Sequence, residues 1–158
     1  EELIITHDFR IPHRIVDGGK ERYHSIKNAL EHCSGDYVIV HDGVRPLVGH
    51  ETLNRCLEAL KLNDAVIPVV ELKESLRVKS GTGTTSVDRS MYQIVQTPQC
   101  FRKEVLISAY SLPFHDGITD DASLVEAAGF KVKTVEGNEK NIKITRNIDL
   151  KFAELFLK

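Results

Sequence analysis

Cysteine, aromatic residues and long apolar runs are all scarce in this sequence, and each scarcity argues against a class of protein. The three cysteines, Cys33, Cys56 and Cys100, lie far apart and form no Cys-x-x-Cys pair, so a zinc site or a redox centre has little support. We expect buried or neutral thiols in a reducing compartment. Aromatic residues make up 6% of the chain, and the basic residues form no long run. A nucleic-acid-binding surface, which needs a basic stripe or an aromatic platform, is therefore not expected.

Membrane and secretion signals are also missing from these residues. No apolar run approaches the roughly 20 residues that cross a membrane, and residues 1–6 carry neither the basic region nor the cleavage site of a signal peptide. The formal net charge of −2 gives no reason to expect a nucleic-acid polyanion or an anionic membrane as partner. What is present, 158 residues with 41% hydrophobic and 28% charged side chains, is typical of one soluble globular domain.

Short β-branched runs alternate with helical patterns along the chain, which predicts an α/β fold with a mainly parallel sheet. Pro68 lies inside one of these runs and indicates an edge strand or a bulge. The predicted strands are 14–16, 37–40, 65–70, 92–95, 131–135 and 141–145, and the predicted helices are 51–62, 103–110, 122–128 and 148–157.

One segment departs from this alternation. Residues 72–79 and 85–89 flank Gly81-Thr82-Gly83, which predicts a hairpin. Because a two-stranded ribbon is only marginally stable alone, we expect this arm to pack on something else, such as a second subunit.

The first candidate binding segment is Gly18-Gly19, followed by Arg22 and Ser25. Two glycines before a helix let a ligand approach the backbone closely, and the helix start offers N–H donors to it. Arg22 and Ser25 lie one turn apart on one helix face. An ordinary strand-to-helix turn would show the same pattern.

The second candidate is His41-Asp42-Gly43, followed by Arg45, at the end of a predicted buried strand where α/β sheets bind ligands. Asp42 has the chemistry to hold a metal or a substrate hydroxyl, and Arg45 to contact a phosphate or to orient Asp42. The alternative is an ion pair that stabilises a turn. We expect His41 to be structural.

Four further positions carry weaker signals. Thr97 lies at another strand end, and Arg89 lies on the arm, where most arginines are solvated charges. Thr119 or Asp120 has the residue type that caps a helix. Lys143 has apolar neighbours in a predicted strand, so it either extends to solvent or meets an anion.

The order of these motifs is more specific than any one of them. GGxxRxxS, HDxxRP, VDR, TPQ, TDDAS and EGxxxNIKIT follow one another from about residue 17 onwards, an order that resembles the 2-C-methyl-D-erythritol 4-phosphate cytidylyltransferase family of isoprenoid biosynthesis. The resemblance implies a Rossmann-like nucleotidyltransferase domain over residues 1–158, with an arm at about 71–90 that forms a homodimer. It also implies CTP and a polyol phosphate as substrates, Mg²⁺ or another divalent cation as cofactor, and a location in the bacterial cytoplasm, or in a plastid for a plant protein.

The resemblance assigns roles to individual residues as well. It implies nucleotide contacts by one group, catalysis by a second, and acceptor binding by a third, with Asp42 beside the metal and Arg89 supplied by the neighbouring subunit. The nucleotide group is Gly18, Gly19, Arg22, Ser25, Asp42 and Gly43; the catalytic group is Asp42, Arg45 and Lys143; the acceptor group is Arg89, Thr97 and Thr119.

The sequence departs from the family at its start. The family's Gly-rich loop, with an Arg and a Lys that cradle the triphosphate, does not occur in these residues. Residues 1–6 resemble the family's second strand, so we expect the first strand and its loop upstream. The stretch 8–12 looks short for the connection that the family usually has there. We therefore expect little turnover by these 158 residues alone. Two alternatives stay open: a ribitol 5-phosphate cytidylyltransferase, and a non-catalytic domain of the same fold.

Overall fold

The structure is a computed structural model that describes residues 2–157. It divides into two compact units, Glu1–Cys33 and Ser34–Lys158, which are described separately. The expectation of a single domain stays a prediction.

The first unit contains two helices, α1 (Glu2–Thr6) and α2 (Arg22–Leu30). Both strands expected in this unit are wrong: the described part of 1–6 is helical, and 14–16 has no regular structure. A strand requires a hydrogen-bonded neighbouring strand, and the described residues of this unit include no strand that could pair with either segment. Tyr23 and Leu30 of α2 supply its buried apolar side chains.

The second unit is built on a five-stranded sheet and a separate hairpin. The strands of the sheet are β1 (Tyr37–Val40), β2 (Ala65–Glu71), β5 (Gln93–Val95), β6 (Gln99–Arg102) and β7 (Val132–Glu136); the hairpin consists of β3 (Leu76–Ser80) and β4 (Gly83–Val87). β2 is central, with β7 on one side and β5 and β6 on the other. β1 pairs with β6 at the edge.

The sheet is less parallel than the sequence predicted. Among the strands that the structure describes, only β2 and β7 pair in parallel, whereas β6 runs antiparallel to both of its neighbours, β1 and β2. The strand β6 was not predicted: its four residues follow a proline and are too few to show a period. β1 and β2 run in the same direction, and β6 lies between them in the opposite direction. Both of its pairings are therefore antiparallel.

Pro68 lies in a central strand, so the edge expectation is wrong, and the ladder beside it is interrupted on the neighbouring strand. Val66 pairs with Cys100 and Val69 with Val95, so the two β2 residues between them face the interruption of β5 and β6. This interruption, 96–98, relieves the ladder where proline has no N–H to donate.

Four helices follow the predicted pattern: α3 (His50–Leu60), α4 (Lys103–Ala109), α5 (Asp121–Ala127) and α6 (Asn147–Phe156). Successive side chains of β2 point to opposite faces of the sheet. One face buries Val66 with Cys56 and Leu60 of α3, and the other buries Ile67 and Val69 against Ala122 of α5. Helices on both faces explain why β2 is a continuous apolar run.

Two of the cysteines lie in this core. Cys56 and Cys100 are both fully buried, and all three cysteines are free thiols. A hydrogen bond with Cys56 and burial raise the pKa of Cys100 far above its usual range, so this thiol is neutral. The prediction of a buried, neutral thiol is confirmed there.

The hairpin β3–β4 lies where the sequence predicted it, and Gly81 at its turn has a φ of 53°. A short 3-10 helix, Arg89–Met91, follows it. The hairpin residues are largely exposed, and two apolar side chains, Val78 on the hairpin and Met91 after it, are 52% and 79% exposed. We call residues 71–90 the arm.

Candidate active site

Three charged side chains meet at the end of β1. Asp42 Oδ2 lies 3.4 Å from Arg45 Nε and 3.2 Å from Lys143 Nζ. The Asp42 and Arg45 side chains are 15% and 12% exposed, whereas Lys143 is half exposed. Lys143 therefore meets an anion, as one of the two sequence interpretations predicted. Two cations beside one carboxylate leave the cluster with a net positive charge.

The local chain explains how Arg45 reaches Asp42. The Arg45 N–H donates to the Asp42 carbonyl over 2.9 Å, which closes a tight turn after β1. The guanidinium of Arg45 also donates through Nη1 to the carbonyl of Asn141 at 2.8 Å. Arg45 thus joins the Asp42 turn to the segment that carries Lys143.

Thr97 lies against the same turn. Its Oγ1 accepts the N–H of Asp42 at 3.0 Å and is 2.9 Å from His41 Nδ1. Thr97 is 6% exposed, and its peptide bond to Pro98 is cis. The structure therefore brings together Asp42, Arg45, Thr97 and Lys143, four of the residues that the motifs singled out.

The segment 141–145 is not a strand, contrary to the prediction. Side-chain amides hold it instead of a β ladder. Gln96 donates to the carbonyl of Asn138 at 2.8 Å and accepts its N–H at 3.1 Å, and Asn141 Nδ2 donates to the Thr97 carbonyl at 2.8 Å. The Ile144 N–H adds a bond to the Val44 carbonyl. These contacts place Lys143 beside Asp42.

A second glutamine, Gln99, ties a different segment to the same interruption of the sheet. It is 1% exposed, donates to the Asp120 carboxylate at 2.7 Å and accepts the Ala122 N–H at 3.0 Å. Asp120 caps α5 in a capping box with Ser123, as the sequence predicted for Thr119 or Asp120. Thr119 itself is exposed and directly precedes this cap.

Sequence reasoning assigned no role to Gln96, Gln99 or Asn141. All three are buried polar residues. The available signal was a pair of amide side chains at the end of an apolar strand, because buried amides need specific hydrogen-bond partners. The partners themselves come from distant parts of the chain and could not be read locally.

Arg89 is exposed on the arm, at the start of the 3-10 helix, where its guanidinium donates to the Lys73 carbonyl. Asp88 caps this short helix by accepting the Ser90 N–H at 3.0 Å. The arginine is therefore held by its own arm, and its role toward a substrate stays a prediction.

The Gly18–Ser25 segment belongs to the first unit. The Gly19 N–H donates to Ser25 Oγ at 2.9 Å, and a Cβ at Gly19 would lie 2.2 Å from the Cβ of His24. Only glycine fits at position 19, whereas a Cβ at Gly18 would lie 3.4 Å from Ser25 Oγ, which is an ordinary contact. Arg22 begins α2, one turn from Ser25.

A metal at this site would depend on few protein ligands. Among residues 2–157 there is no cluster of three or more His, Cys, Asp or Glu side chains with metal-binding geometry. Asp42 is the acidic residue of the charged cluster, and Mg²⁺ commonly uses one or two carboxylates together with substrate phosphates. Asp42 fits that pattern. Gly43, next to it, is exposed.

Comparison with known proteins identifies the family. A model of the 2-C-methyl-D-erythritol 4-phosphate cytidylyltransferase family (IspD) matches residues 3–158. The chain belongs to this family. The resemblance drawn from the order of the motifs is thereby confirmed, and with it the prediction of an enzyme of nucleotidyl transfer.

Individual cytidylyltransferases agree with the family model. The enzyme of Bacteroides fragilis is 46% identical over 157 residues and that of Phocaeicola vulgatus 44% over 158 residues. Each alignment covers 99% of this chain and 72% of the relative. The crystal structure of 4-diphosphocytidyl-2C-methyl-D-erythritol synthase from Anaerococcus prevotii superposes with a TM-score of 0.86 at 31% identity, covering 99% of this chain and 76% of that one. The predicted Rossmann-like α/β fold is confirmed.

Proposed function

We propose that this chain transfers CMP from CTP to 2-C-methyl-D-erythritol 4-phosphate and that Asp42, Arg45 and Lys143 form the reacting centre. The observation that carries the assignment is the placement of Lys143 Nζ and Arg45 Nε at 3.2 and 3.4 Å from one oxygen of Asp42. The relatives are named for methylerythritol phosphate, which supports this acceptor over ribitol 5-phosphate. They come from bacteria, which supports a cytoplasmic location.

The chemistry fits the residues that meet at this centre. An oxygen of the acceptor phosphate attacks the α-phosphorus of CTP, a new P–O–P bond forms, and the bond to the β-phosphate breaks as pyrophosphate leaves with the electron pair. A phosphate monoester is already an anionic nucleophile near neutral pH, so no covalent intermediate is required. Positioning and charge neutralisation supply the rate.

Lys143 and Arg45 have different tasks in this scheme. Lys143 is half exposed, so its ammonium group can reach a phosphate oxygen while it stays near Asp42. Arg45 is largely buried and bonds both Asp42 and the Asn141 carbonyl, so it holds the carboxylate in place. Mg²⁺ held by Asp42 and the phosphates would neutralise further negative charge.

The remaining predicted residues complete the substrate contacts. We assign Gly18, Gly19, Arg22 and Ser25 to CTP, since the close turn at Gly19 exposes backbone beside a helix start. Gly43, beside Asp42, is assigned to CTP as well. Thr97 and Thr119 are assigned to the acceptor; Gln99 fixes the residue after Thr119, and Asn141 bonds the Thr97 carbonyl.

The arm supports a homodimer. It is a two-stranded ribbon with the apolar side chain of Val78 half exposed, and such a ribbon is marginal unless it packs on another surface. We assign that surface to a second copy of the chain, with Arg89 reaching the acceptor of the partner. Sedimentation analysis is expected to show a dimer that dissociates when residues 74–88 are replaced by a short Gly-Ser turn.

Product analysis tests the reaction directly. The full-length gene product is incubated with CTP and either 2-C-methyl-D-erythritol 4-phosphate or ribitol 5-phosphate. We expect pyrophosphate release and a new diphosphate signal by ³¹P NMR, with the larger kcat/KM for methylerythritol phosphate. A preference for ribitol 5-phosphate, or no product with either acceptor, would refute the assignment.

A further inference from the structure

The imidazole of His41 spans two parts of the site. Its Nε2 is 2.8 Å from the Arg45 carbonyl oxygen, and its Nδ1 is 2.9 Å from Thr97 Oγ1. His41 therefore links the turn that follows β1 to the interruption between β5 and β6. The assigned reaction gives this residue no role.

The two contacts decide where the imidazole proton lies. A carbonyl oxygen only accepts hydrogen bonds, so Nε2 must carry the proton that it donates to Arg45. In a neutral imidazole the other nitrogen is then an acceptor. The hydroxyl of Thr97 consequently donates its proton to Nδ1.

The same hydroxyl also has a second fixed partner. Thr97 Oγ1 accepts the Asp42 N–H at 3.0 Å. A hydroxyl has one proton and two acceptor positions, so these two bonds fix its rotation and leave one acceptor position over. Thr97 is 6% exposed, which limits exchange of these partners for water.

We propose that His41 is a positioning residue, which fixes the direction of the Thr97 hydroxyl and thereby the acceptor-binding side of the site. This inference rests on the proposed role of Thr97 in binding the polyol phosphate substrate. It does not require His41 to touch either substrate. Without Nδ1, the proton of the Thr97 hydroxyl is free to rotate. The hydroxyl then no longer presents a single hydrogen-bonding direction to the polyol phosphate.

Two substitutions separate the two links of His41. In His41→Asn the amide oxygen is bonded to Cγ, as Nδ1 is, so it keeps an acceptor for Thr97 but loses the Arg45 contact. In His41→Gln the longer amide reaches the position of Nε2. It keeps a hydrogen-bond donor for the Arg45 carbonyl but loses the hydrogen-bond acceptor for the Thr97 hydroxyl. Thr97→Val removes the hydroxyl from the other side, and His50→Asn, an exposed histidine at the start of α3, is the control.

Steady-state kinetics of the full-length gene product with CTP and 2-C-methyl-D-erythritol 4-phosphate give the first readout. We expect His41→Gln to raise the KM of the polyol phosphate roughly three- to tenfold, the range of one lost hydrogen bond. Thr97→Val also leaves the Asp42 N–H without its acceptor and should raise this KM at least as much. The KM of CTP should change little. The double variant His41→Gln/Thr97→Val should be no worse than Thr97→Val alone, and His41→Asn should approach the wild type. Additive effects, or equal losses in His41→Asn and His41→Gln, would overturn the proposal.

The tautomer gives a second readout that needs no turnover. Long-range ¹⁵N–¹H correlation spectra of the wild-type protein, at a pH where the imidazole is neutral, should place the His41 proton on Nε2. A proton on Nδ1 would overturn the inference even if the protein is fully active. An unchanged KM for the polyol phosphate in Thr97→Val would refute the role of Thr97 in binding this substrate. A proton on Nε2 would in that case still support the His41–Thr97 hydrogen bond.

Discussion

The ammonium nitrogen of Lys143 lies 3.2 Å from a carboxylate oxygen of Asp42, although the two residues come from opposite halves of the chain. Neither residue is placed by its own secondary structure, since one follows β1 and the other lies in an irregular segment. The buried amides of Gln96 and Asn141 bring the irregular segment to the end of the sheet. The proposed reacting centre thus depends on polar residues that need not contact any substrate.

Gln96→Met should destabilise the protein. Methionine keeps the length of the side chain but leaves the N–H and the carbonyl of Asn138 without their partner. Burying unpaired polar groups costs about 1–3 kcal/mol. Urea unfolding measures this loss. Gln93→Met is the control, because the Gln93 side chain is exposed and donates to the Glu71 carboxylate at the surface, and it should change the free energy of unfolding by less than about 0.5 kcal/mol. Equal losses would contradict the role of Gln96.

Gly137→Ala should be harmful because there is no space for a methyl group. A Cβ at this position would lie 2.5 Å from Gln96 Oε1 and 3.0 Å from the Val69 carbonyl oxygen. Such crowding costs about 1–3 kcal/mol, and it displaces the amide that holds the Lys143 segment. The melting temperature and the turnover rate should both fall. Gly83→Ala, whose Cβ would lie 3.9 Å from the Ser80 carbonyl oxygen, should leave the melting temperature nearly unchanged. A similar fall in that variant would contradict the crowding at Gly137.

Asp149 should make stability depend on acid pH. Its carboxylate accepts the backbone N–H groups of Thr145 and Arg146, which lowers its pKa below the usual range. The contribution is complete above the ordinary pKa of an aspartate and is lost as the pH falls through the lowered value. The melting temperature of the wild type should therefore fall more on acidification than that of Asp149→Asn. Parallel curves would show that these bonds contribute nothing.

Arg89→Ala should weaken acceptor binding while CTP binding stays nearly intact. The guanidinium is exposed on the arm and is held by the Lys73 carbonyl, a position from which we expect it to serve the partner subunit. Separate KM measurements for the two substrates test this in the full-length gene product. Arg77→Ala removes another arm arginine, one that bonds Thr84 across the hairpin, and serves as the control. Equal losses for CTP and for the acceptor would refute the role of Arg89.

Local patterns predicted those elements whose causes are local. β2 is an apolar run and α3 has a helical period, so both were found within a few residues of their true bounds. The segment 141–145 has the alternation of a strand but forms its hydrogen bonds with Gln96, Thr97 and Val44. Those partners lie far away in the sequence, and no local period reveals them.

The candidate site divides in the same way. The chemistry of Asp42, Arg45 and Lys143 was visible as residue types, and the order of the motifs indicated that they act together. Their separation could not be predicted, because it is set by β6 between β1 and β2 and by the buried amides beside it. Two strand predictions in the first unit failed because strands depend on neighbours that a single segment does not show.

The most direct test of the account is the turnover of Lys143→Gln in the full-length gene product. Its matched control is Lys140→Gln, which neutralises an exposed lysine of the same segment. If Lys143 stabilises charge at the reacting phosphates, its loss should lower kcat/KM about a hundredfold or more, while the control stays near the wild type. Equal kcat/KM in the two folded variants would contradict the claim that Asp42, Arg45 and Lys143 form the reacting centre.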